Sequence, residues 1–178
     1  LNLSYEVKEG LKKHETPWDK PKVKKAFVSL EAQIANIADE IAYNNHDIDD
    51  GLSSGILGVH DLIEHVELFR LANEVVSKNY QALQQHERAH LINSYIISQQ
   101  VMDVYETSKA ALDKVAIQSV DELQHIKGAL ITFSDDMNQK NKQLRHYLYQ
   151  HFYKSPSIEE LNEYGQDTIG AIFHFLKK

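Results

Sequence analysis

The stretch Ser29-Leu30-Glu31-Ala32-Gln33-Ile34-Ala35-Asn36-Ile37-Ala38-Asp39-Glu40-Ile41-Ala42-Tyr43-Asn44-Asn45-His46-Asp47-Ile48-Asp49-Asp50-Gly51 decides how the chain is read. Leu30, Ile34, Ile37, Ala38 and Ile41 recur at spacings of three and four, the period of a helix with one buried stripe. Asp39, Tyr43, His46 and Asp47 follow one another at i, i+4, i+7 and i+8. At about 100° per residue they fall within roughly one quadrant of the helix surface. Two carboxylates, a phenol and an imidazole on one band, beside an apolar stripe, form one wall of a polar pocket. Three aspartates, Asp47, Asp49 and Asp50, sit at the C-terminal end of this helix and oppose its macrodipole. A site that breaks a local rule in this way points to function or strain.

Outward from this stretch the pattern stays helical. Tyr5 to Lys13 reads as a short helix, and Thr16-Pro17-Trp18-Asp19-Lys20-Pro21 breaks it, because two prolines so close exclude helix. The central helix starts near Ser29 and is expected to end before Gly51, with a turn-rich connector from Gly51 to Gly58. Val59 to Val76 holds one or two shorter helices. A long helix spans Ala82 to Ile117, with Ile97, Val101, Val104, Ala111 and Val115 expected on its buried stripe. Ser119-Val120-Asp121-Glu122 is a capping box and opens a helix carrying Leu123, Ile126, Leu130 and Ile131. Phe133-Ser134-Asp135-Asp136 interrupts it or marks a second start, and helix resumes to about Tyr153. Ser157 and Glu160 form a second box before a last helix with Leu161, Tyr164, Ile169, Ile172, Phe173 and Leu176. No strand, internal repeat or low-complexity segment is found, so the expected fold is all-α, a non-repeating multi-helix assembly.

Bulk properties narrow the function. The 178 residues amount to one domain or part of a larger one, and 42% hydrophobic content suits a globular core. A net charge of −7 argues against nucleic-acid binding by charge alone. There is no Cys, which excludes disulfides and thiolate metal sites and fits a reducing, cytoplasmic setting. No apolar run reaches the length of a membrane span, and no signal peptide is visible. The chain opens Leu1-Asn2-Leu3 rather than with Met, which reads as a processed, truncated or partial piece of something longer.

The ten histidines invite metal readings, and spacing rejects most of them. His60 and His65 are five residues apart, about 140° off one another on a helix, and cannot act as an HExxH pair. His86 and His90 have i, i+4 spacing, but the Glu87 and Arg88 between them fit an exposed helix face. His146, His151 and His174 read as surface or aromatic-neighbour positions. Asp47-Ile48-Asp49-Asp50-Gly51 imitates a calcium loop, yet an EF-hand counted from Asp47 needs Gly at Leu52 and a carboxylate at Gly58. Asp39 is the sharpest candidate, because it lies mid-helix against the buried stripe.

The residues Leu30-Glu31-Ala32-Gln33, Ala38-Asp39-Glu40-Ile41-Ala42-Tyr43 and His46-Asp47-Ile48-Asp49-Asp50 closely resemble the deoxyguanosinetriphosphate triphosphohydrolases of the HD-domain superfamily. Asn2-Leu3-Ser4-Tyr5-Glu6-Val7, Glu9-Gly10-Leu11 and His14 resemble the segment that precedes that motif. Phe133-Ser134, Leu144-Arg145, Leu148, Phe152-Tyr153 and Pro156 resemble the family's C-terminal helices, and Ile172-Phe173 its terminal helix. The similarity spans nearly all 178 residues and is most specific around Asp39.

The resemblance implies a divalent metal, of the manganese, magnesium or iron kind, held by a His, a His-Asp pair and a distant final Asp. Asp39 matches that final Asp. Tyr43 and Asp47 match positions that contact the deoxyribose near its 3′-hydroxyl, and Arg88 stands where a phosphate-binding residue would come from the long helix. The implied reaction is hydrolysis of dGTP or another dNTP at the α-phosphorus, giving a deoxynucleoside and inorganic triphosphate.

The remaining metal ligands and the catalytic groups would lie upstream of Leu1, and His46-Asp47 and His60-Asp61 are not the metal pair. These residues alone then hold no catalytic group and need an N-terminal HD portion. Residues 1–58 would be the end of the catalytic domain, and 59–178 a C-terminal helical region. Homo-oligomers are implied, membrane association is not, and single-stranded nucleic acid is neither required nor excluded. The alternative is a non-catalytic helical module for oligomerisation or regulation, derived from the same family.

Overall fold

A computed structural model describes residues 2–13, 28–117, 119–123, 125–126 and 128–177. The fold is all-α, with no strand among the described residues: α1 (Tyr5–Lys13), α2 (Leu30–Ser53), α3 (Val59–His65), α4 (Glu67–Asn79), α5 (Gln85–Val115), α6 (Val120–Leu123), α7 (Asp135–Leu148) and α8 (Pro156–Leu176). A π-helical turn, Tyr149–Tyr153, directly follows α7. The prolines and Trp18 of the expected break, and His14, lie outside the described residues. Two compact units emerge, one of residues 1–45 and 94–139, the other of 46–93 and 140–178.

In the first unit, side-chain caps set where the helices begin. The Ser4 and Ser29 hydroxyls accept the Val7 and Ala32 N–H groups at 3.4 and 3.2 Å, so each serine covers an orphan donor of α1 or α2. Ser134 does the same for α7 through the Met137 N–H at 3.2 Å. It is itself held by Asp103 of α5, whose carboxylate accepts the Ser134 N–H at 2.8 Å and its hydroxyl at 2.6 Å.

The buried face of α5 differs from the expected stripe. Ile96, Gln100 and Ser108 are the buried positions in this unit, while Ile97, Val101 and Val115 are exposed. The polar residues are tolerated inside because they are paired. Asn45 donates to the Gln100 side-chain oxygen and to the Ile41 carbonyl, both at 2.7 Å, and both amides are fully buried. The Ser108 hydroxyl accepts the Thr132 N–H at 3.1 Å.

The helix expected after Ser119 closes after a single turn. The Ser119 hydroxyl accepts the Glu122 N–H at 3.4 Å, as a cap should. Beyond α6 the chain is irregular to Ser134, with Gly128 at φ 98°, a conformation that ends helix. Leu123, Leu130, Ile131 and Phe133 are buried all the same. The Gln33 side-chain oxygen accepts the Leu130 and Ile131 N–H groups at 2.9 and 3.1 Å, supplying the partners that a helix would have given.

In the second unit α2 runs past Gly51 to Ser53, two residues further than its glycine foretells. Gly51 is buried, and its carbonyl accepts the Leu57 N–H at 2.8 Å as the chain turns back through Gly55 at φ 73°. Leu62, Val66, Phe69, Ala72, Ile92, Leu144 and Leu148 fill the core of this unit. The Glu67 N–H at the start of α4 is taken by the Gln143 side chain at 3.0 Å. The first turn of α8 contains Pro156, whose missing N–H is an orphan there anyway, and Ser155 rather than Ser157 precedes it as the N-cap. No residue of α8 is buried, and Leu161, Tyr164, Ile169, Phe173, Phe175 and Leu176 are each more than half exposed.

Candidate functional site

Because α2 is one uninterrupted helix, Asp39, Tyr43 and Asp47 keep their one-turn spacing along it. Their surroundings differ sharply. Asp39 is exposed and Tyr43 half-buried, both in the first unit. Asp47, in the second, is only 9% exposed. His46, in the same band, faces water.

Asp47 is the best-defined member. Its Oδ2 accepts a hydrogen bond from the Tyr153 hydroxyl at 2.5 Å, and its Oδ1 has no hydrogen-bond partner among the described residues. Burial pushes the Asp47 carboxyl above the ordinary carboxylate value. The Tyr153 hydrogen bond pulls the other way, Asp50 adds a smaller upward push, and His46 a smaller downward one. Tyr153 ends the π-helical turn, and Phe152, itself buried, packs edge-on against its ring at 5.5 Å. The contact joins residues 106 positions apart, so no periodicity in the sequence marks it. The dipeptide Phe152-Tyr153 stood out only as part of the C-terminal similarity.

Arg88 occupies a different place. It is half-buried on α5, and its guanidinium donates to the Ser77 hydroxyl of α4, which lies 3.4 Å from the Asn73 side-chain oxygen. Arg88 makes no hydrogen bond or ion pair with Asp47. A second aromatic group lies nearby in sequence: His151 of the π turn stacks on Tyr147 at 4.4 Å, and His65 on the same ring at 6.1 Å. Burial and the nearby Asp61 raise the Tyr147 hydroxyl above its usual range.

The donor set bears directly on metal binding. Asp39 offers a hard carboxylate on an exposed helix face, chemically fit to be one ligand of a divalent ion. Among the described residues no group of three or more His, Asp or Glu side chains converges. Asp39 is thus suited to a ligand set completed by other residues, and no metal-dependent step is derived from these helices alone.

Comparison with known proteins places these helices in context. Residues 131–178 match the family model of a phosphohydrolase-associated domain. A deoxyguanosinetriphosphate triphosphohydrolase-like protein of Geobacter metallireducens is 36% identical over 97% of this chain and 46% of its own length. Its counterpart in Geobacter sulfurreducens is 33% identical over the same shares, and one in a Ruegeria species 30% identical over 98% of this chain and 49% of its own length. The chain thus spans about half the length of these curated relatives.

Proposed function

Because this chain is the counterpart of the C-terminal portion of the deoxyguanosinetriphosphate triphosphohydrolase-like proteins, we propose that it supplies one wall of a dNTP triphosphohydrolase active site. The observation that carries this reading is the acidic face of α2, with Asp39 at its exposed level and Asp47 buried and fixed one hydrogen bond from Tyr153. Asp39 would be one ligand of a divalent ion of the manganese, magnesium or iron kind, with the others supplied from outside these 178 residues. When bound, such an ion supplies Lewis acidity toward the α-phosphate and an activated water. Tyr43 presents a half-buried ring for the deoxyribose, and Asp47 Oδ1 an acceptor for its 3′-hydroxyl. Arg88 could reach phosphate only by giving up Ser77, which makes it the weakest member of the set.

The substrate in this reading is dGTP or another dNTP, the products a deoxynucleoside and inorganic triphosphate. The working form is a homo-oligomer that includes the N-terminal HD portion, placed in the cytoplasm. No described helix is long and apolar enough to cross a membrane.

The exposed apolar side chains of α8 favour a second reading, a non-catalytic module for self-association or regulation. Asp39→Ala in the full-length protein separates the two. Loss of metal-dependent triphosphate release supports the enzyme, and undiminished turnover sinks it. The isolated 178 residues should show no turnover with added manganese.

A further inference from the structure

The Asp47–Tyr153 contact does more than satisfy a buried carboxylate. We propose that Tyr153 is the positioning residue for Asp47: its hydroxyl holds Oδ2, fixing the plane of the carboxylate so that Oδ1 is presented to a ligand hydroxyl. This rests on the reading of Asp47 as a sugar contact and names the residue through which that contact is set.

Three observations on the page support it. First, the bond is 2.5 Å long and joins a phenol to a carboxylate that is 9% exposed, the short, charge-assisted kind that fixes orientation. A carboxylate bonded by water alone would turn about its own axis, and the second oxygen would have no set direction. Second, Tyr153 is itself fixed. It closes a π turn, the local widening of a helix that recurs at functional sites, and the buried Phe152 ring packs edge-on against it. Third, the two oxygens of Asp47 are used unequally. Oδ2 is taken, and Oδ1 has no hydrogen-bond partner among the described residues, which leaves one acceptor for a hydroxyl donor. The charged and titratable groups acting on Asp47 are Tyr153 from the π turn and His46 and Asp50 from α2 itself.

The chemistry recognised is a sugar hydroxyl that can donate to a fixed carboxylate oxygen. A 2′,3′-dideoxynucleoside triphosphate lacks that donor, and a dNTP has it. Tyr153→Phe keeps the ring and removes only the hydroxyl, so packing against Phe152 survives. Two measurements on the full-length protein test the inference: carbon-13 NMR titration of the Asp47 carboxyl, and KM and kcat for dNTP against the dideoxy analogue.

Tyr153→Phe should move the Asp47 titration to higher pH, since the hydrogen bond that favours the carboxylate is gone. KM for the dNTP should rise about tenfold, the worth of one hydrogen bond to a charged group, with the dideoxy analogue little changed. An Asp47 titration that does not move overturns the inference. So does an equal loss for both substrates, the mark of a merely structural role. A full-length wild-type protein that releases no triphosphate from any dNTP sinks the proposed function instead, and the titration still decides whether Tyr153 positions Asp47.

Discussion

Gly51→Ala sets two effects of similar size against each other. Gly51 lies in α2, one turn beyond Asp47, where alanine ordinarily gains about 1 kcal/mol over glycine. The fold denies that gain. A Cβ placed on Gly51 would stand 2.6 Å from Cγ of Leu57, whose side chain is 5% exposed and whose N–H is already bonded to the Gly51 carbonyl. Overpacking of a filled core costs about 1–3 kcal/mol, so the net expectation is a loss of about 1 kcal/mol.

The Leu57→Ala background isolates the cause. That change alone should cost about 2–5 kcal/mol, the usual range for a buried leucine. It also removes the Cγ and Cδ atoms that the new methyl would meet, leaving Leu57 Cβ at 3.3 Å, a tight contact but not an overlap. In that background Gly51→Ala should become neutral or stabilising. Urea unfolding of the four proteins of this cycle measures the coupling, expected at about 1–2 kcal/mol for residues in direct contact. A stabilising Gly51→Ala in the parent, or the same effect in both backgrounds, would refute the reasoning.

Asp47→Asn should respond to pH in a definite direction. The folded carboxyl titrates above its ordinary value of 3.8, so the native state binds the proton more tightly than the unfolded chain does. The contribution of Asp47 to stability is complete below that ordinary value and is lost as pH rises through the folded pKa. Melting temperatures compared across pH should therefore show the Asn variant gaining on the parent as pH rises toward neutrality, and an opposite slope refutes the assignment. Ser134→Ala removes the cap of α7 and should cost about 1–2 kcal/mol in chemical unfolding, since Asp103 also loses one of its two donors. Gln100→Leu takes away one acceptor of the buried Asn45 amide and should cost about 1–3 kcal/mol. Adding Asn45→Leu should recover part of that loss, and a fully additive double mutant would show that the two amides act independently.

The helical character of the chain was plain in its apolar spacing, and α1, α2, α5 and α7 lie close to where that spacing puts them. The departures have physical causes that spacing cannot carry. Gly51 looks like a helix breaker, yet its missing Cβ is what lets Leu57 approach. The buried side of α5 was misread because Gln100 and Ser108 are polar. They enter the interior through bonds to Asn45 and to the backbone of Thr132, partners far away in sequence. The segment after Ser119 has helical residue types, but Gly128 and the Gln33 side chain give its backbone another solution. For the site, α2 shows in its own residues that Asp39, Tyr43 and Asp47 share a face. What no local pattern shows is Tyr153, because the pairing with Asp47 exists only once the chain has closed over 106 residues.

The widened turn at Tyr149–Tyr153 has a consequence for tolerance to changes in chain length. A π turn carries one residue more than the α-helical path it replaces. Removing any one residue there would return the path to ordinary α geometry and rotate everything beyond by about 100°. The Tyr153 hydroxyl would swing away from Asp47, and the uncovered apolar side of α8 would turn to a new compass bearing in the same stroke. Substitutions in Tyr149–Tyr153 can be absorbed one at a time, whereas a single deletion would act on two distant features together, as a change of phase in the chain.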